Sequence, residues 1–227
     1  MKKIPQTVFK AIEYILFFFI FVIKPLFSKN VSPALIPSCY ALLFYCIFCL
    51  WFIVSSSFDF SFSIYRKKTL YFTSSMIVPS LFVLIFLFFN MLVWNFFSTF
   101  NIFIFKKATM IAIDITNIGN LAKLCLILQL IGAACFEELL FRQYFPCRAN
   151  SLLKQFKYRK VTKIFFVEIL PIFAFAINHI YLGDFGFMNA LIAGFILRLL
   201  YKKTHSVVPG CLVHSMYNLV IIIFSLL

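Results

Sequence analysis

Charged side chains are scarce in this chain and acids are scarcest: of 227 residues 12% are charged, with 7 Asp and Glu against 21 Lys and Arg. A soluble domain carries about 25% charged residues. With 63% hydrophobic residues, 34 Phe and a mean hydropathy of +1.01, the chain has too little polar surface for a water-facing monomer. Disorder is excluded on the same grounds. The cysteines (Cys39, Cys46, Cys49, Cys125, Cys135, Cys147 and Cys211) are odd in number and lie mostly in apolar runs, which excludes a secreted disulfide scaffold. Cys46 and Cys49 form a C-x-x-C without the second Cys/His pair that zinc would need or the βαβ context of a redox motif. Internal repeats, low-complexity tracts, a P-loop, a dinucleotide fingerprint and H-E-x-x-H are all missing.

What remains is a sequence for a membrane. A helix crossing a hydrocarbon core of about 30 Å needs about 20 apolar residues. Runs of that kind predict seven spans at 9–27, 38–55, 76–98, 122–145, 164–182, 186–201 and 207–227, an all-α polytopic helix bundle. The piece from Ser55 to Ser63 reads as a connecting loop. Lys2 and Lys3 before the first run resemble a signal peptide, but no small-x-small cleavage site precedes Lys24 and Pro25, so an anchor is expected. Residues 1–118 are expected to form N-terminal membrane helices and 119–227 a separate core.

The net charge of +14 would suggest nucleic acid in a soluble chain; here it reads as topology. With the N terminus inside, the inner segments hold Lys2, Lys3, Lys10, Arg66, Lys67, Lys68, Arg148, Lys154, Lys157, Arg159, Lys160, Lys163, Lys202 and Lys203. The outer ones hold Lys24, Lys29, Lys106, Lys107 and Lys123, so the positive-inside rule favours an inside N terminus. The stretch Arg148 to Lys163 is expected to be a solvated loop, with anionic lipid headgroups as its alternative partner. No nucleic-acid partner is expected.

An ionisable group inside a span costs about 2.5–3.5 kcal/mol on insertion scales, so each needs a partner or a purpose. Glu137, Glu138, Arg142 and His179 stand out, with His214 and Asn218 in the last span. Glu13, Asp59, Asp114, Glu168 and Asp184 fall near span ends or in loops, where water is expected to reach them; His205, in a short inner loop, is expected to be solvated. Glu138 and Arg142 are i,i+4 neighbours with the acid first, the favoured order for a pair. Glu137 is turned about 100° away and is left for other work. An unpaired carboxylate in an apolar wall suits a general base near neutral pH; the alternative is a buried charge network bracing two helices. Phe175 and His179 share a helix face, the ring buttressing an imidazole that either works chemically or simply pairs with Glu137. His214 and Asn218, also one turn apart, suit an oxyanion, or else serve as interhelical polar contacts.

These motifs resemble the CAAX prenyl protease 2 and bacteriocin-processing (CPBP, Abi) family of intramembrane endopeptidases. The resemblance rests on E-E-x-x-x-R at Glu137, Glu138 and Arg142, F-x-x-x-H at Phe175 and His179, and H-x-x-x-N at His214 and Asn218; it covers about 119–225 and departs from the family at Gln143, where a small residue is usual. It implies a chamber open to the cytosolic side, with Glu137 activating water and His179 helping to hold or deprotonate it. His214 and Asn218 would stabilise the oxyanion, with Glu138, Arg142 and Phe175 in support. It implies membrane lipids as surroundings and a peptide or lipidated protein as substrate: prenylated CaaX proteins in eukaryotes, bacteriocin-like peptides in prokaryotes. A bacterial cell membrane is expected. No cofactor is expected, since a water-activating glutamate needs none; zinc held by Glu137, His179 and His214 is the alternative. A non-catalytic scaffold or immunity protein of the same fold is the second functional reading, and a small-solute transporter, lacking paired interrupted helices, the third.

One geometric requirement follows. His179 lies about 15 residues past Ile164, or roughly 22 Å of helix. Glu137 reaches a similar depth only if the fourth helix continues to about Leu152, crossing Pro146 with a kink at the Arg142 carbonyl.

Overall fold

The computed structural model describes residues 6–23, 43–48, 50–51, 70–99, 119–155 and 159–225, and among them every regular element is helical. In order these are α1 (Gln6–Phe18), a helical segment at 43–48, α2 (Ile77–Thr99), α3 (Asn120–Glu138), α4 (Phe145–Gln155), α5 (Lys160–Ile164), α6 (Leu170–Ile177), α7 (Gly183–Thr204) and α8 (Val208–Ser225). The fold is all-α, as expected. Among the described residues, three continuous helical stretches are long and apolar enough to cross a membrane, Ser74–Trp94, Asn120–Lys154 and Ile180–Thr204, with a shorter apolar one at Val208–Ile221. Cys39, Cys49, Asp59, Asp114 and the Ser55–Ser63 piece lie outside the described residues.

The fourth helix is long, as the depth of His179 requires. α3 and α4 are joined by a wide π turn, Leu139–Tyr144, into one stretch that reaches Gln155, ten residues beyond the hydropathy boundary at 145. The fifth span is not the single helix expected at 164–182: α5 leads through a wide turn (Phe165–Ile169) into α6, which stops at Ile177. A third wide turn, Phe19–Ile23, follows α1. All three end two residues before a proline in the sequence, at Pro25, Pro146 and Pro171. Proline has no N–H for the carbonyl four residues back, and its ring crowds that carbonyl. At Pro146 and Pro171 the helix accommodates both by widening its preceding turn. Pro79 and Pro209 cause no such disturbance because they sit in the first turns of α2 and α8, where an amide N–H has no helical acceptor.

α2 shows how a chain this apolar orients in lipid. Ser80, Val83, Leu87 and Asn90 are buried at helical spacing, while Val78, Phe82, Ile85 and Phe89 are exposed. The polar side chains point inward. Asn90 Nδ2 donates to Asn189 Oδ1 on α7 at 2.6 Å, Asn189 Nδ2 donates to the Tyr217 hydroxyl on α8 at 3.1 Å, and Trp94 Nε1 donates to Asn90 Oδ1 at 3.1 Å. This chain of bonds ties three helices whose apolar surfaces gain little by leaving lipid.

The phenylalanines fill the other side. Phe17, Phe21, Phe44, Phe48 and Phe136 interlock α1, segment 43–48 and α3, with Phe48 and Phe136 edge-to-face at 4.6 Å between centroids. α1 is also held electrostatically. Glu13, expected within reach of water, and Arg148, expected in a solvated loop, are both largely buried and pair at 3.0 Å between α1 and α4. Both expectations fail for the same reason: the helix that carries Arg148 extends past the hydropathy boundary and packs against α1. Arg159, Lys160 and Lys163 are exposed as expected, as is His205, which closes α7 with a left-handed backbone (φ 54°) and donates its amide N–H to the Tyr201 carbonyl.

Candidate active site

The acid pair closes α3, directly before the wide turn. Its two members occupy different environments. The Glu138 side chain is 1% exposed and the Glu137 side chain 25%. Glu138 Oε1 lies 3.4 Å from Arg142 Nη2, the expected i,i+4 pair, and 3.2 Å from His214 Nδ1 on α8. Its other oxygen faces Gly210 so closely that a Cβ there would stand 2.7 Å away. A carboxylate pinned from two helices and pressed against backbone has little freedom to move. Glu137 Oε2 lies 3.7 Å from His214 Nε2, an ion-pair separation rather than a hydrogen bond. His214 therefore bridges the two acids through opposite nitrogens.

Phe175 organises the remainder. The Arg142 guanidinium stacks over its ring at 4.5 Å, and the His214 and His179 rings lie 5.8 and 4.7 Å from its centroid. Gly194 on α7 makes room for it, since a Cβ there would meet Phe175 Cδ1 at 3.0 Å. The position of His179 corrects the expectation that it shares a regular helix face with Phe175. It sits two residues past the end of α6, where its amide N–H donates to the Ala176 carbonyl and Nδ1 lies 2.9 Å from the Phe175 carbonyl. A carbonyl only accepts, so the Nδ1 in this bond carries a proton. Tyr181 stacks on His179 at 6.3 Å, and Tyr45 and Tyr181 both lie within electrostatic range of Glu137.

Glu137, Glu138, Arg142, Phe175, His179 and His214 thus form one contiguous cluster built by α3, the wide turn, the end of α6 and α8. Asn218 lies one turn beyond His214, half-buried. Gln143, where the resemblance departs, is fully buried in the wide turn. Among the described residues no group of three or more His, Cys, Asp or Glu side chains is placed to hold a metal ion.

The family model of Rce1-like type II CAAX prenyl endopeptidases matches residues 119–220. Residues 119–220 belong to this family. No curated protein matches the chain, and no solved structure does. The Rce1-like segment includes the whole cluster and Asn218, and the match supports a membrane endopeptidase in general. With its long apolar helices, this makes it an integral membrane protein.

Sequence reasoning passed over two residues of the Rce1-like segment. Arg198 lies on α7, buried, with Nε 2.9 Å from Glu168 Oε2 and Nη1 2.6 Å from the Arg142 carbonyl. It falls within the predicted sixth span and carried the same signal as Arg142, an arginine where lipid should exclude one. Glu168, expected to face water, is its partner. Gly210 is the second, and nothing in its sequence surroundings signals that a carboxylate lies against it.

Proposed function

We propose that the protein is a CAAX-type intramembrane endopeptidase that hydrolyses a peptide bond near the membrane surface with water activated by Glu137. One observation carries the reading: the adjacent acids are divided, Glu138 being buried and paired while Glu137 is the more accessible and touches His214 only at 3.7 Å. Glu137 takes a proton from water as the oxygen attacks the scissile carbonyl, then passes it to the departing amine. The His179 Nε2 lone pair accepts from the same water and orients it. His214 Nδ1 is committed to Glu138, so Nε2 must donate to the tetrahedral oxyanion. Both ring nitrogens then carry protons, and the flanking carboxylates balance that charge. Asn218 supplies the second donor. Arg142 and Phe175 hold Glu138 and the two imidazoles in place.

The substrate class consistent with the family is a prenylated protein ending in CaaX. Arg159, Lys160, Lys163, Lys202 and Lys203 are exposed near one end of the bundle, where Lys202 also lies 3.7 Å from Glu168. Under the positive-inside rule this supports an inner-facing opening.

The test is cleavage of a farnesylated CaaX peptide by the full chain in proteoliposomes. Glu137→Gln should lower kcat by about 100-fold or more, the range expected for removing a general base, with unfolding unchanged. A Glu137→Gln variant as active as the parent would sink the mechanism. If it instead retained a biological effect without any cleavage by either form, a scaffold or immunity role would replace it. We further propose that no metal takes part, since a water-activating glutamate needs none and the sequence lacks H-E-x-x-H. Activity should persist after chelation of a preparation shown metal-free by elemental analysis; loss on chelation with recovery on adding zinc would reverse this.

A further inference from the structure

The wide turn next to the acid pair has an unusual hydrogen-bond partner. In an uninterrupted helix the Arg142 carbonyl would accept from the amide N–H of residue 146, but that residue is proline and has none. An orphaned carbonyl in a membrane interior is costly. Here a side-chain donor comes from another helix: Arg198 Nη1 reaches the carbonyl at 2.6 Å, with Arg198 itself 6% exposed. The charge this brings into the bundle is matched by Glu168, 2.9 Å from Nε. Arg142 is therefore held at both ends, its side chain by Glu138 and its carbonyl by Arg198. The wide turn begins at Leu139, the residue after Glu138. Whatever fixes that turn also fixes the direction in which Glu137 and Glu138 leave α3.

We propose that Arg198 is a positioning residue of the site: its guanidinium replaces the amide N–H that Pro146 lacks, locks the wide turn, and so sets Glu137 and Glu138 against His214. This rests on the endopeptidase reading for its kinetic consequence, but not for its structural one. Glu168 remains covered when Arg198 is removed, since Lys202 Nζ lies 3.7 Å from the same carboxylate oxygen.

The test is a cycle of four full-length proteins, the parent, Arg198→Gln, Pro146→Ala and Pro146→Ala/Arg198→Gln, followed by thermal unfolding and by cleavage of a farnesylated CaaX peptide. Alanine at 146 restores an N–H to the Arg142 carbonyl, so the unfolding midpoint should fall on Arg198→Gln with Pro146 present and fall distinctly less in the Pro146→Ala background. An equal fall in both backgrounds overturns the proposal. In the cleavage arm Arg198→Gln should lower kcat about tenfold to a hundredfold, as for misplacement of catalytic groups by about 1 Å, while KM moves much less. Unchanged kcat, or a loss confined to KM, also overturns it. If the parent cleaves nothing, the endopeptidase reading fails for this substrate, and the unfolding cycle still decides whether Arg198 stands in for the missing N–H. Should Arg198→Gln alone fail to fold, recovery of a folded double variant supports the proposal and its continued failure overturns it.

Discussion

Gly210 is one of two glycines packed against the site, and the more tightly constrained of them. Its missing side chain is the space that Glu138 Oε2 occupies, with 2.7 Å to where a Cβ would stand. Gly210→Ala must displace a carboxylate that Arg142 and His214 hold from two other directions. The expected outcome is a loss of cleavage of about tenfold or more, with reduced stability of about 1–3 kcal/mol, the usual cost of overpacking. Parent-like kinetics in Gly210→Ala would show that Glu138 is not held where the site needs it. The pairing of Glu138 with Arg142 was legible in the sequence, because i,i+4 spacing assigned Arg142 to Glu138 and left Glu137 over. The closeness of Gly210 was not, since a contact between residues 138 and 210 depends on how two helices cross, and no local pattern encodes that crossing. His179 lay between these cases. The sequence placed it by helical periodicity against Phe175, and the two rings do meet, but its geometry comes from the end of α6, where Nδ1 turns back to the Phe175 carbonyl.

At the scale of elements, the readable features were those with backbone causes. The depth of His179 demanded a fourth helix extending beyond its hydropathy, which the α3–α4 stretch provides, and where Pro146 pointed to a kink at the Arg142 carbonyl the structure has the wide turn Leu139–Tyr144. Hydropathy misjudged the ends of that stretch because buried polar residues such as Arg148 lower the apolar average without ending a helix. The hydrogen-bonded chain Trp94, Asn90, Asn189 and Tyr217 was invisible for a different reason: asparagine in an apolar run names no partner until the helices are placed. Its contribution can be measured. Asn90→Leu should lower unfolding stability by about 0.6 kcal/mol for each interhelical bond lost, and up to roughly 1.7. No change, or a gain, would assign the packing of α2 to shape alone.

For the whole molecule, the tie between α1 and α4 is the most exacting. Arg148 Nη2 and Glu13 Oε2 pair at 3.0 Å with both side chains largely buried. Removing one partner strands a charge, so Arg148→Met should cost roughly 3–5 kcal/mol. Glu13→Gln/Arg148→Met should recover much of that loss, and a double variant no more stable than the single one would show that the pair does not couple the helices. The charges of the candidate site have a history of their own. Glu138 and Arg142 are neighbours on one helical stretch, whereas His214 follows Glu138 by 76 residues. At roughly 5–20 residues per second, a ribosome needs about 4–15 s to cover that distance. During this interval the carboxylate and guanidinium can neutralise each other as the α3–α4 stretch enters the membrane, and the hydrolytic arrangement stays incomplete until α8 arrives. An enzyme of this design would be inert until α8 had been made.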